Sequence, residues 1–143
     1  MLFRSLSTQF SEAQGAFSPD GKWVAYQSNE SGRYEIHVRP FPGPGGQWQV
    51  STSGGISPRW RADGKELYYI APDSKLMAVG VSTQGTTFTP GTPEALFPTH
   101  ITPGVFKQQY DVAHDGRFLI NTELDTASTE PIHLLLNWKP PGK

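Results

Sequence analysis

Apolar residues fall in short runs along this chain, each closed off by Gly, Pro, Asp, Asn or Ser. Trp23-Val24-Ala25-Tyr26 and Leu67-Tyr68-Tyr69-Ile70 are almost continuously apolar, the pattern of a strand covered on both faces. Residues 34–39 alternate instead, with Tyr34, Ile36 and Val38 on one face and Glu35, His37 and Arg39 on the other. These patterns predict strands over 15–18, 23–28, 34–39 and 48–51, with turns at Ser31-Gly32 and 43–46. A second set covers 56–60, 66–70, 76–82 and a weak 95–97, the segment 84–93 reading as a long loop. A third covers 108–112, 117–121 and 132–138.

The sets are copies of one unit. Phe17-Ser18-Pro19-Asp20-Gly21-Lys22, Trp60-Arg61-Ala62-Asp63-Gly64-Lys65 and Val112-Ala113-His114-Asp115-Gly116-Arg117 each precede an apolar strand. Their Asp-Gly pairs stand 43 and then 52 residues apart, close to the ~40 to 50 residues of a four-stranded propeller blade. The turn has a mechanism: Asp bonds the backbone two residues on, Gly accepts positive φ, and Pro19 presets φ at the entry. Asp20, Gly21, Asp63, Gly64, Asp115 and Gly116 are therefore read as structural turn residues, not as catalysts. The Lys or Arg after each Gly is read as a solvated rim residue.

The fold class that follows is all-β, made of β-propeller blades of four antiparallel strands, about three per chain. Residues 1–143 form one partial propeller: 1–10 an outer strand of a split blade, with the strand itself at 3–8, 11–53 blade 1, 54–104 blade 2, and 105–138 blade 3 without its last strand. Propellers close with about four to eight blades, so three leave apolar end faces bare. A homodimer closing six blades answers this, each N-terminal strand completing the partner's third blade. The alternative is a piece of a longer propeller, for the first strand looks cut from an earlier blade.

Composition narrows the chemistry. Twelve Lys and Arg against thirteen Asp and Glu give a net charge of -1, so neither a nucleic-acid partner nor an anionic membrane surface is expected. No apolar stretch is long enough for membrane insertion, and residues 1–10 lack the pattern of a secretory signal. The chain has no cysteine, which excludes disulfides, thiolate metal sites and cysteine nucleophiles. Fifteen Gly and thirteen Pro fit many tight turns, because four Trp, five Tyr and eight Phe supply a core that a disordered chain would lack.

The run Phe17 to Tyr26, followed after Ser31-Gly32 by Tyr34-Glu35-Ile36-His37-Val38, resembles the repeat of TolB-like propellers. The second copy keeps Trp60 and Asp63-Gly64-Lys65 but has Arg61-Ala62 where Ser-Pro is usual, and the third keeps only Asp115-Gly116-Arg117. Asp111-Val112 and the ending Pro131 to Trp138 resemble the last blade of propellers that follow bacterial serine/threonine kinase domains. The resemblance implies an interaction or ligand-sensing module, a protein or peptide partner, and a periplasmic or extracytoplasmic setting. It transfers no catalytic residue. A kinase signature, a Gly-x-Ser-x-Gly elbow and the sialidase-type Asp box are all absent.

Candidate chemistry is sparse. His37, His100, His114 and His133 have no partner at metal-ligand spacing, so no metal, cofactor or catalytic residue is expected. Trp60, Tyr26, Tyr68 and Tyr69 are expected between blades. Trp48, beside the 43–46 turn, and His114, beside Asp115, are the two candidate ligand contacts. Two functional readings follow: a non-catalytic, dimeric interaction module, or a small propeller hydrolase or metal-dependent enzyme with His, Asp or Glu side chains meeting at the central channel.

Overall fold

A computed structural model describes residues 12–102 and 107–122. The expected N-terminal strand at 3–8 and the strand at 132–138, with His133 and Trp138, lie outside the described residues. Those described are all-β, with eleven strands and no helix.

The first sheet is a four-stranded antiparallel meander, β1 (Glu12–Phe17), β2 (Trp23–Ser28), β3 (Glu35–Pro40) and β4 (Trp48–Gln49). The second has β5 (Ile56–Trp60), β6 (Glu66–Ile70) and β7 (Lys75–Gln84), with β9 (Glu94–Pro98) paired to the first half of β7. A third begins with β10 (Tyr110–Val112) and β11 (Phe118–Ile120). These are two complete blades and the start of another, the partial propeller that the repeat implies.

The repeat is visible in the backbone as well as in the residues. β1 and β5 each carry a bulge, between Ala13 and Ala16 and between Ile56 and Arg59. Each places a non-glycine residue, Gln14 or Ser57, at φ 56°. Gln14 and Ser57 stand 43 residues apart, as do Asp20 and Asp63. A bulge raises local twist and bends the strand, which turns each blade relative to its neighbour.

Two apolar cores join the blades. Trp23, Ala25, Ile36 and Val38 of blade 1 meet Trp60, Leu67, Tyr69 and Val79 of blade 2. Tyr68, Ile70 and Leu76 on the other side of blade 2 meet Tyr110 and Phe118 of blade 3, with Tyr68 and Phe118 edge to face at 5.0 Å. Alternate residues of β6 thus serve opposite cores, which is why the strand is apolar throughout.

Three expectations change. Segment 84–93 is not a loop: β7 runs on beyond the sheet and turns back as β8 (Thr87–Pro90), a hairpin that carries Phe88 into the first core. Phe88 lies 5.3 Å from Trp23, 5.9 Å from Trp48 and 6.2 Å from Trp60, ring centre to ring centre. Residues 34–39 do alternate, yet Glu35 and His37 are buried like Ile36 and Val38. The polar face is affordable because Glu35 accepts from the Arg33 guanidinium at 2.7 Å, from the Gly54 amide at 3.0 Å and from the Ser51 hydroxyl. Trp48 is half-buried rather than standing free, edge-on to Trp23 at 5.6 Å.

Candidate functional site

The three Asp-Gly turns are built alike. The Gly amide donates to the carbonyl three residues back, Gly21 to Ser18, Gly64 to Arg61 and Gly116 to Ala113, each at 2.9 Å. The Asp carboxylate accepts from the amide two residues on, at 3.1 Å for Asp20 and Lys22, 2.9 Å for Asp63 and Lys65, and 3.2 Å for Asp115 and Arg117. Gly21, Gly64 and Gly116 all have positive φ. The first turn is the most tightly tied. Ser18 Oγ donates to Asp20 at 2.6 Å and accepts from the Trp23 amide at 3.0 Å.

The turns of blades 1 and 2 bound a cleft of about 450 Å³. Asp20 lies on one lip and Asp63 and Lys65 on the other, while Trp23 and Trp60 form the floor. Val81, Ser82 and Thr83, where β7 leaves the sheet, complete the wall. The turn motif therefore contributes side chains to a cavity, which its structural role alone does not require.

Electrostatics set what the cleft can do. The Ser18 hydroxyl, and then the Lys22 amide, hold the Asp20 carboxyl below the usual carboxylate range. Asp20 is thus a fixed anionic acceptor at neutral pH, with no proton to give. Asp63 faces the Arg61 guanidinium at 3.5 Å. Asp115 is likewise held low, by the Arg117 amide first, but stands on blade 3, away from the cleft lining. His114 is exposed in the same turn and also outside that lining.

A second polar group lies inside blade 1. His37 is stacked on Tyr26 at 5.8 Å, its Nδ1 is 3.0 Å from Gln47 Nε2, and its buried Nε2 has no hydrogen-bond partner. Glu30 Oε1 stands 3.5 Å from Nε2, close enough to pair with a charged ring but too far for a well-made bond. Gln47 Nε2 also donates to Glu30. Burial pushes the His37 ring below its ordinary value, against the pull of Glu30, Glu35 and Glu12.

Among the described residues, no three His, Asp or Glu side chains gather into a group that could hold a metal ion. The sequence reading missed the cleft's third wall and Phe88. Their one signal is the 52-residue spacing where the first repeat has 43.

No protein-family model matches the chain, and no curated protein matches it. The fold is similar to the crystal structure of TolB from Acinetobacter baumannii, with 16% identity and a TM-score of 0.42 over 81% of this chain. The chain spans 39% of the length of that protein.

Proposed function

We propose that this chain is a non-catalytic interaction module, an open propeller arc that closes with a second copy and offers its turn-face cleft to a protein or peptide. The cleft carries this reading. Its lips are carboxylates tied to their own backbones and its floor is tryptophan, an arrangement that presents fixed acceptors beside apolar surface. Such a surface grips a segment with donor groups and an apolar body. Proton transfer asks for a group whose pKa sits near neutrality; Asp20 is held in the opposite direction.

Closure with a second copy is supported by the repeat itself: two apolar cores join three successive sheets, and a propeller ring takes about four to eight. Light scattering on the purified chain over a range of concentrations tests it. The expected mass is twice 15.8 kDa. A monomer at every concentration would refute the dimeric assembly. For the cleft, a library of short peptides is screened by fluorescence of Trp23 and Trp60, and Asp20→Asn combined with Asp63→Asn should weaken any binder by tenfold or more. A binder indifferent to both changes would remove the cleft from the reading.

A further inference from the structure

We infer that His37 works a proton-sensitive clasp: the neutral ring, through Gln47, holds the glycine- and proline-rich segment 41–47 against Trp48, and the protonated ring lets it go. The clasp needs neither a second copy nor a bound peptide.

The segment is tied at both ends. At one end the Phe41 amide donates to the Lys22 carbonyl at 2.8 Å. At the other, the Gln47 side-chain nitrogen donates to Glu30 Oε1 and stands 3.0 Å from His37 Nδ1. Residues 42–46 between them are exposed. Gly45 lies against the Pro40 ring and Gly46 against the Trp48 ring, where an added Cβ would stand 3.1 Å from Cη2. The segment thus covers part of Trp48, which is half-buried.

Chemistry fixes the protons at the Gln47 end. A carboxylate only accepts, so the Gln47 atom facing Glu30 is the nitrogen, and its second hydrogen is left for His37. Nδ1 is therefore the acceptor, and the neutral ring carries its proton on Nε2. That nitrogen is buried without a hydrogen-bond partner, with Glu30 Oε1 3.5 Å away. A second proton has one place to go, Nδ1, where it meets the Gln47 N–H donor to donor. Turning the amide over does not rescue the arrangement, since its oxygen would then face the Glu30 carboxylate. The charged ring and Glu30 pair through Nε2 instead, and Gln47 is left out. The group excluded in acid is the one that holds the segment.

Among the described residues, the groups facing His37 are Tyr26 of β2 with Arg39 beside it, Glu30 of the β2–β3 turn, Gln47 before β4 and, further off, Glu35 of β3 and Glu12 of β1. Burial opposes the charged ring more strongly than the three carboxylates favour it, so the proton enters below the ordinary 6.5. The clasp is closed at neutral pH and opens in mild acid.

Proton–nitrogen NMR of the purified chain between pH 7.5 and 5 tests this. The Gly45, Gly46 and Gln47 amide resonances should move with the His37 ring, at one midpoint below 6.5. The order parameters of Gly45 and Gly46 should fall from about 0.85 to below about 0.6. Gln47→Ala, at an exposed position, should show the loose values already at pH 7.5. Gln47→Glu should invert the response, because its carboxylate is repelled by Glu30 at neutral pH and accepts from Nδ1 of the charged ring in acid. Glycine resonances that ignore the His37 ring, or a ring that stays neutral throughout, overturn the clasp. So does a Gln47→Ala chain as rigid at 45 and 46 as the native one, or a Gln47→Glu chain that keeps the native direction. A midpoint shared by the whole spectrum would mean that the proton unfolds the chain rather than one segment, and overturns it too.

Discussion

Ser74 adopts φ 63° in the β6–β7 connection, where its amide donates to Ala71 at 2.9 Å and Asp73 accepts from the Lys75 amide at 3.2 Å. These are the bonds of the three Asp-Gly turns, with serine in the glycine position. A left-handed backbone costs a residue with a Cβ about 1 kcal/mol, part of which glycine returns as chain entropy. Ser74→Gly is therefore expected to stabilise by about 0.5 kcal/mol, and Gly64→Ala to destabilise by about 1 kcal/mol. Urea midpoints read both; a destabilising Ser74→Gly would refute the strain argument. Glu35 is the converse case, a buried carboxylate whose worth lies in the donors it satisfies. Glu35→Ala strands the Gly54 amide and the Ser51 hydroxyl and should cost about 2–4 kcal/mol. His37 adds a pH dependence. The groups facing it are the Tyr26 ring from β2, the Gln47 amide before β4 and the Glu30 carboxylate of the β2–β3 turn, with Glu35 and Glu12 further off. Its folded pKa lies below the ordinary 6.5, so the unfolded chain takes up the proton first. No stability is lost above that value. Below it, stability falls by up to about 1.4 kcal/mol per pH unit until the folded ring is protonated too. Urea titrations between pH 7.5 and 5 should show this slope in the native chain and a shallower one in His37→Phe. Equal slopes would mean that His37 does not carry it.

The β7–β8 hairpin reaches the first core through Phe88. Ser82 pairs with Thr89 and Thr83 with Phe88, so the register aims Phe88 at the three tryptophans around it. Truncating a buried phenylalanine costs about 3–5 kcal/mol through lost transfer and the cavity left behind. Phe88→Ala should lose that much and shift the tryptophan fluorescence to longer wavelength as water reaches Trp23 and Trp60. A loss below about 1 kcal/mol would show that the hairpin merely rests on the blade. This element also marks the limit of what the residues disclose. The Asp-Gly turns and the apolar second strands were legible, because local turn chemistry and two-sided burial write themselves into adjacent residues. Segment 84–93 was not, because one phenylalanine among threonine, glycine and proline has no period, and only the neighbouring blade shows where it goes. The burial of Glu35 and His37 was hidden for a related reason: their partners, Ser51, Gly54 and Gln47, lie on other elements. The cleft was half legible, its Asp lips named as turn residues and its third wall supplied by the unforeseen hairpin.

At the scale of the whole molecule, one residue links all three blades. The Ser57 amide donates to Gln27 Oε1 of blade 1 at 2.9 Å, and the Ser57 carbonyl accepts from the Tyr110 hydroxyl of blade 3 at 2.7 Å. Ser57 itself sits at φ 56° in the β5 bulge, a conformation that persists only where its surroundings hold it. Burial pushes the Tyr110 phenol well above its usual value, so it remains a neutral donor at any ordinary pH. Tyr110→Phe leaves the Ser57 carbonyl without this donor and should cost about 1–3 kcal/mol. Hydrogen exchange should locate the loss, with faster exchange at Tyr110–Val112 and Phe118–Ile120 and little change at Trp23–Ser28. Gln27→Leu removes the other tie at similar volume and should loosen the joint between blades 1 and 2. If the bulge transmits strain between its two anchors, the effects are not independent. Once one anchor is gone Ser57 relaxes, and the second bond is worth less. The double variant should then be destabilised by less than the sum of the single ones, with a coupling of at least about 0.5 kcal/mol. Simple additivity would mean that each blade is held to its neighbour separately, and that the arc is a row of independent joints rather than one cooperative body.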